Sequence, residues 1–288
     1  MSSAIESGVE AAGSYGIGGM TVRRLGFGAA HVTGPGCWGP PEDRDAALRV
    51  LRRAVELGVN FIDTAASYGP YVSEEMIHEA LSPYSEGLII ATKAGNARTG
   101  PDVYVAIGRP EFIRQDCEMS LRRLNVESLH LLQLHQIDPK VPVEEQFGVL
   151  RELQDEGKVR ALGLSNVSVK ELDCASRIFD VATVQNEYNL VNRRSEDVLV
   201  ACESRGIGFI PWFPVANGDL ARPGGPVREV CSQTGASPAK VALAWLLARS
   251  PAMLPIPGTA SVAHLEENCA AGLLHLDESQ IASLSSAG

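Results

Sequence analysis

The sequence predicts a single α/β domain folded as an eight-stranded parallel (β/α)8 barrel, the TIM barrel, with a short N-terminal β-hairpin. Eight short apolar runs recur along the chain, with loops and stretches of helical periodicity between them. The runs are apolar nearly throughout rather than alternating, which is typical of parallel strands buried on both faces. A chain of 288 residues has the usual length of one such barrel.

The apolar runs define the eight predicted barrel strands. They are residues 24–28, 59–63, 88–92, 129–134, 161–165, 181–185, 208–212 and 252–257. An open doubly wound sheet is the alternative architecture, and it should carry a G-x-G-x-x-G pattern between its first strand and helix. Gly26-Phe27-Gly28 does not continue in that way, so we favour the closed barrel.

Helical periodicity is clearest in residues 43–57, 110–124 and 143–156, which each carry one apolar stripe. Ser237-Pro238 has the pattern of an N-cap followed by a first-turn proline, and it predicts the start of a further helix.

Two features are expected ahead of the barrel. Gly18-Gly19 lies between short extended runs and predicts the hairpin. Residues 1–14 show no clear period, so we expect a loose leader there and a barrel domain over residues 15–288.

Composition narrows the functional classes. The net charge of −10 argues against a nucleic-acid-binding protein, whose affinity comes from a basic surface. Six cysteines without a C-x-x-C pair are typical of reduced thiols. No window approaches the ~18 uninterrupted apolar residues of a membrane span, and the N-terminus lacks the pattern of a signal peptide. We therefore expect a cytoplasmic protein without membrane or nucleic-acid partners, and no pattern marks an oligomer interface.

Polar side chains follow the predicted strands at the end where a barrel builds its active site. They are Asp63, Lys93, His135, Ser165, Asn166, Gln185 and Trp212, and Tyr68 follows Asp63 by five residues. Taken singly, each could be a solvated rim residue or a structural side chain. Their shared position at one end of the barrel favours a common site.

Four of these residues make up a proton-donating system. An ammonium next to a phenol lowers the phenol pKa of ~10, and a carboxylate keeps that ammonium charged. An imidazole can orient a carbonyl oxygen beside the phenol. The set of Asp63, Tyr68, Lys93 and His135 contains no strong attacking nucleophile. It therefore predicts protonation of an oxygen that gains negative charge, as in hydride addition to a carbonyl.

Six ordered blocks resemble the signature of the aldo-keto reductase superfamily. They are FIDTAASYG, ATK, LLQLH, GLSNV, VQNEYNLVNR and IPGTASVAHLEEN, and the resemblance runs from about Thr21 to about Leu274. The stretches GPPEDRDAA, YGPYVSE and RSPAMLPIPGTASVAHLEEN resemble in particular a bacterial branch that includes pyridoxal reductase-like proteins. The resemblance implies an NADP(H)-dependent reductase of aldehydes or ketones, with pyridoxal as a candidate substrate.

The resemblance also implies residue roles. Asp63, Tyr68, Lys93 and His135 match the family's catalytic tetrad, with Tyr68 as the acid. Ser165, Asn166 and Gln185 match the nicotinamide carboxamide contacts, and Trp212 matches the aromatic residue that stacks on the nicotinamide. Phe213, Pro214, Val215 and Asn217 fall in the segment over the pyrophosphate, and Gly258, Thr259, Ser261, His264, Glu267 and Asn268 fall at the adenosine end.

The adenosine end departs from the family. Mammalian-type members bind the 2′-phosphate with a lysine and an arginine, where this chain has Gly258 and His264. Thr259, Ser261 and the amides of a helix start are anion donors, so NADP(H) stays the expected cofactor, with some use of NAD(H).

Two other functional classes are the alternatives. One is a regulatory subunit that binds the cofactor with little turnover. The other is a metal-dependent barrel hydrolase, which needs clustered ligands, whereas His135 is the only histidine at a predicted strand end. On the substrate side, His31, Trp38 and Tyr71 lie in loops, where they are either pocket residues or ordinary surface residues.

Overall fold

The structure is a computed structural model that describes residues 7–215 and 226–286. Seven strands form one parallel sheet. They are β3 (Phe27–Gly28), β4 (Phe61–Asp63), β5 (Ile89–Ala94), β8 (Leu129–Leu134), β9 (Val159–Ser165), β10 (Val181–Glu187) and β11 (Gly208–Trp212). Their order across the sheet is β11-β10-β9-β8-β5-β4-β3. All seven coincide with predicted strands, apart from shifts of their ends.

The eighth predicted strand, residues 252–257, is irregular but joins the two edges of the sheet. Phe209 of β11 donates to Ala252 O at 2.8 Å and accepts from Leu254 N at 2.8 Å. On the other side, Gly26 N donates to Pro255 O at 3.0 Å. Pro255 and Pro257 have no N–H to donate, which is why this segment does not form a regular ladder. The predicted TIM barrel is confirmed.

Helices cover the outside of the barrel. They are α2 (Arg44–Glu56), α3 (Val72–Leu81), α4 (Pro110–Leu124), α5 (Val143–Asp155), α6 (Val169–Ala175), α7 (Glu196–Arg205), α8 (Pro226–Thr234), α9 (Pro238–Arg249), α10 (Val262–Cys269) and α11 (Glu278–Ser285). The three helices predicted from periodicity and the one predicted from Ser237-Pro238 are present. Asp43 caps α2 by accepting from Ala46 N at 2.8 Å, and Ser237 caps α9 through Lys240 N at 3.3 Å.

The predicted hairpin is also present, as β1 (Ser14–Ile17) and β2 (Met20–Arg23). Its Ile17 and Val22 are buried with barrel-interior residues such as Leu131 and Ile210. A Cβ atom on Gly18 would lie 2.4 Å from Ala161 Cβ, close to the start of β9. The hairpin therefore closes the N-terminal end of the barrel, and the opposite end stays open.

Residues 7–14, which we expected in a loose leader, are packed against the barrel. Ser7 and Glu10 form a capping box that starts the short helix α1 (Gly8–Ala11). Val9 is fully buried, and a Cβ atom on Gly8 would lie 2.2 Å from Cys269 O. The single apolar side chain of Val9 and the lack of one on Gly8 allow this close docking, which hydrophobic periodicity does not reveal. Residues 1–6 lie outside the described residues.

A second hairpin, between β5 and α4, is absent from the sequence-based prediction. It consists of β6 (Asn96–Gly100) and β7 (Val103–Ala106), paired antiparallel with Arg98 opposite Tyr104. Within residues 7–215 and 226–286, no helix combines the length and apolarity needed to cross a membrane.

Candidate active site

A cavity of about 1150 Å³ opens at the C-terminal end of the barrel strands. Most of the predicted site residues line it: Asp63, Tyr68, His135, Ser165, Asn166, Gln185, Trp212, Phe213, Pro214, Val215 and Gly258. Lys93 does not line the cavity but lies directly behind it. Because all parallel strands end at this face, residues separated by more than a hundred positions meet here.

Asp63 and Lys93 form a fully buried ion pair behind the cavity. Lys93 Nζ lies 2.6 Å from Asp63 Oδ2 and also donates to Thr64 O at 2.9 Å. The two side chains are 1% and 0% exposed. Burial lowers the pKa of Lys93, while the charge and hydrogen bond of Asp63 act in the opposite direction. Asp63 therefore holds the ammonium in one position.

The second oxygen of Asp63 is bound by two glutamines. Gln185 Nε2 donates to Asp63 Oδ1 at 2.8 Å, and Gln133 Nε2 donates to the same oxygen at 3.1 Å. Gln185 thus supports the carboxylate as well as facing the cavity. Sequence reasoning missed Gln133, which lies inside β8. The signal was present, since it is the one amide within the apolar run LHLLQL.

Tyr68 brings its hydroxyl to the ion pair. Lys93 Nζ donates to Tyr68 Oη at 3.3 Å. We expected the ammonium to bring the phenol pKa below its usual value, but the net direction in the structure is the opposite. Burial raises the pKa of Tyr68 well above its ordinary value, and the charge of Asp63 adds to the effect. Because Asp63 balances the charge of Lys93, desolvation decides the direction. The phenol is therefore protonated at neutral pH.

His135 lies beside Tyr68 with their ring centroids 5.9 Å apart and their planes at 84°. Burial lowers the pKa of His135 well below its usual value, and the positive charges of Lys93 and Arg98 add to the effect. The imidazole is therefore neutral at neutral pH. Its Nδ1 lies 3.2 Å from Ser67 Oγ, within hydrogen-bonding distance. A neutral ring of this kind can contribute a hydrogen bond to a carbonyl without competing as an acid.

Asn166 connects His135, Ser165 and Trp212 through hydrogen bonds. Asn166 has a left-handed backbone (φ 58°), which asparagine tolerates well. Its Nδ2 donates to His135 O and to Ser165 Oγ, each at 3.1 Å. Its Oδ1 accepts from Trp212 Nε1 at 3.0 Å. The indole plane of Trp212 is thereby held in the cavity wall.

The comparisons with known proteins settle the family. The Aldo/keto reductase family model matches residues 24–288. This chain belongs to the aldo/keto reductase family. An uncharacterised oxidoreductase of Schizosaccharomyces pombe is 50% identical over 287 residues, which is 99% of this chain and 94% of that protein. The pyridoxine 4-dehydrogenase of Escherichia coli is 42% identical over 278 residues, covering 94% of this chain and 96% of that protein.

A solved structure agrees with this assignment. The aldo-keto reductase of Klebsiella pneumoniae in complex with NADPH superposes with a TM-score of 0.80 at 26% identity. The alignment covers 95% of this chain and 94% of that chain. The predicted family is confirmed, and with it an oxidoreductase that acts on carbonyl groups of small molecules.

In this aldo/keto reductase, the departure at Gly258 has a steric cause. A Cβ atom at this position would lie 2.6 Å from Gly28 O and 2.7 Å from His31 Nδ1. The imidazole of His31, itself a cavity-lining residue, thus fills the space that a longer side chain at Gly258 would need. Burial lowers the pKa of His31, so that ring is neutral at neutral pH.

The other residues predicted at the adenosine end lie beyond the cavity lining. Thr259 Oγ1 accepts from Ser261 N at 3.0 Å, and Ser261 caps α10 through His264 N at 3.4 Å. Glu267 and Asn268 lie further along α10. Asn217, predicted near the pyrophosphate, lies outside the described residues.

Of the substrate-side candidates, His31 lines the cavity and Tyr71 does not. The ring of Tyr71 instead lies under the guanidinium of Arg123, 4.3 Å from ring centre to Cζ. Trp38 is not among the residues that line the cavity, and its ring centre lies 5.9 Å from Arg98 Cζ. Within the described part of the chain, no group of three or more His, Cys, Asp or Glu side chains is arranged to hold a metal ion.

Proposed function

We propose that this protein is an NADP(H)-dependent reductase that transfers a hydride to an aldehyde or ketone to give an alcohol, and that pyridoxal is one of its substrates. One observation carries the proposal. The buried pair of Asp63 and Lys93 reaches the hydroxyl of Tyr68, which opens with His135 into a single cavity. This arrangement delivers one proton to one point in the cavity.

The residues of the cavity fit a dinucleotide. Its volume of about 1150 Å³ exceeds the roughly 300–1,000 Å³ of most small-ligand pockets, so a cofactor and a substrate fit together. Asn166 and Gln185 line the cavity, and their amide oxygens can each accept a hydrogen bond from a carboxamide N–H. The flat face of Trp212 suits a stacked ring. When bound, a reduced nicotinamide supplies the hydride. The K. pneumoniae relative holds NADPH, which supports the phosphorylated form, and some use of NAD(H) is compatible with Gly258.

The chain's own residues then handle the proton. The neutral imidazole of His135 and the hydroxyl of Tyr68 bind the carbonyl oxygen between them and polarise it. As negative charge develops on that oxygen, Tyr68 Oη donates its proton. Lys93, held by Asp63, stabilises the phenolate that remains. In the absence of that charge the phenol holds its proton, because burial raises its pKa.

Pyridoxal is proposed from the relatives. The E. coli protein, at 42% identity over almost the whole chain, is a pyridoxine 4-dehydrogenase. Pyridoxine and pyridoxal are the alcohol and the aldehyde of one such reaction. The same cavity would therefore interconvert them here.

NADPH oxidation tests the proposal, with pyridoxal, aromatic aldehydes, dicarbonyls and simple ketones as substrates. We expect turnover of at least pyridoxal, with kcat/KM higher for NADPH than for NADH. Tyr68→Phe should lose about 10²–10⁴-fold in kcat while NADPH binding, followed by fluorescence, is retained. Tyr71→Phe, which removes a hydroxyl outside the cavity, is the matched control and should keep full activity. Tight NADPH binding without turnover of any carbonyl would contradict the proposal and favour a regulatory subunit.

A further inference from the structure

The inner face of the β6–β7 hairpin forms one wall of the catalytic cavity. Asn96 and Arg98 are two positions apart on β6, and Tyr104 lies opposite Arg98 on β7. Since residues two apart on a strand share a face, these three side chains lie on one side of the hairpin. Asn96 and Tyr104 both line the cavity.

Arg98 makes the wall rigid. All five of its N–H groups donate to backbone carbonyls. The acceptors are Val103 O at 2.9 Å, Cys37 O at 2.9 Å, Ser67 O at 3.1 Å, Gly36 O at 2.6 Å and Gly100 O at 3.2 Å. These bonds tie the hairpin to the loop after β3 and to the residue before Tyr68. Arg98 therefore has no donor left for a substrate anion.

Tyr104 is held against the reacting end of the cavity. Its ring centre lies 3.8 Å from Arg98 Cζ, so the guanidinium stacks on the ring and fixes it. The centroids of the Tyr104 and His135 rings are 5.9 Å apart, at 59°. Tyr68 lies at the same distance from His135. A carbonyl positioned at Tyr68 and His135 thus has the rest of its molecule next to Tyr104.

Asn96 presents an unmet hydrogen-bond acceptor. Its Oδ1 is buried and has no hydrogen-bond partner among the described residues, and the side chain belongs to a residue only 6% exposed. A buried polar atom without a partner is costly, and native proteins keep few of them. Because Asn96 lines the cavity, rotation of its amide would turn Oδ1 toward a ligand, and a ligand with an O–H or N–H donor would then remove that cost.

We propose that the β6–β7 hairpin recognises the non-reacting part of the substrate, which is a planar aromatic carbonyl compound carrying a hydroxyl or N–H donor. The aromatic ring packs against Tyr104, and the donor binds Asn96 Oδ1. The inference rests on the proposed carbonyl reductase function and specifies its substrate class. Because every N–H group of Arg98 already donates to a backbone carbonyl, this wall offers no free cationic donor to a phosphate or carboxylate on the substrate.

Substituted benzaldehydes test the recognition of the donor. The purified protein is assayed for NADPH oxidation with benzaldehyde and with its 2-, 3- and 4-hydroxy and matching methoxy derivatives. We expect kcat/KM for at least one hydroxy isomer to exceed that of benzaldehyde and of its methoxy counterpart by about tenfold. In Asn96→Ala this ratio should fall to about one, because the acceptor for the hydroxyl group is gone. Thr99→Ala, an exposed change on the same hairpin, should leave the ratio unchanged.

A second variant keeps the inference testable if Asn96→Ala does not fold. Tyr104→Leu should lower kcat/KM for benzaldehyde about tenfold relative to propanal, because it removes the ring but leaves an apolar side chain. A wild-type protein without hydroxy preference, or a preference that survives in Asn96→Ala, would overturn the inference while leaving carbonyl reduction intact. Absence of any carbonyl turnover in the wild type would overturn both.

Discussion

Lys93 Nζ lies 2.6 Å from Asp63 Oδ2, and the two side chains are 0% and 1% exposed. Neither charge contacts solvent, so each depends on the other for its stability. Two buried glutamine amides also donate to Asp63, which makes the carboxylate the centre of the polar interior. Breaking such a pair leaves a buried charge without its partner, and that is more costly than removing both charges.

We therefore expect Lys93→Met to lower the free energy of unfolding by about 3–5 kcal/mol. The double variant Asp63→Asn, Lys93→Met should recover much of that loss, because no unpaired charge remains. Urea unfolding of the wild type, both single variants and the double variant measures the coupling. Strictly additive effects of the two substitutions would contradict the buried pair.

Asp116 should give a pH dependence of stability in the opposite sense to most carboxylates. Burial raises its pKa from 3.8 to about 6, although Gly95 N donates to Asp116 Oδ2 at 3.0 Å. Between these two pH values the folded state binds the proton and the unfolded state does not. Stability from this group is therefore present below pH 3.8, falls as the pH rises, and is lost above about pH 6.

The test is Asp116→Asn, which keeps an acceptor for Gly95 N without the charge. We expect it to stabilise the protein at pH 7.5, by at most about 3 kcal/mol, and to have a smaller stabilising effect at pH 5. Asp138→Asn is the control with the reverse sign, since backbone N–H groups of Gly108 and Lys140 lower the pKa of Asp138. Loss of the Asp138 charge should destabilise the folded protein at neutral pH. Unfolding midpoints across pH 5–8 distinguish the two, and an effect of Asp116→Asn independent of pH would contradict the assignment.

Gly258 should tolerate no side chain. Gly258→Ala places a Cβ atom 2.6 Å from the backbone oxygen of Gly28, which cannot move aside freely. We expect a loss of about 1–3 kcal/mol in the free energy of unfolding. Gly148→Ala in α5, where nothing lies within 4 Å of the new Cβ, is the matched control and should stabilise by about 0.5–1 kcal/mol. Equal effects of both changes in thermal unfolding would show that the close approach at Gly258 is not a constraint.

The barrel and the centre of its site could be predicted from the amino-acid sequence. Apolar runs buried on both faces mark the strands, and parallel strands end at one face, so Asp63, Lys93 and His135 were expected to meet. The positions of the strand ends in the sequence are enough for this prediction, because in a parallel barrel the C-terminal ends of all strands lie on one face. Tyr68 was expected at the same site because it follows Asp63 by five residues in the same loop.

The surroundings of that centre depend on how the barrel packs and could not be predicted from local sequence patterns. The direction of the Tyr68 pKa depends on how much water the packed barrel excludes, and a sequence does not state that quantity. Gln133 faces Asp63 because of the way β8 is oriented in the closed barrel, whereas its run is apolar on both faces. The occupied space at Gly258 and the wall formed by Asn96 and Tyr104 arise from contacts between segments far apart in sequence. Local sequence patterns show which residues lie at the strand ends. The desolvation of Tyr68 and the close contacts at Gly258 arise only when segments far apart in the sequence pack together.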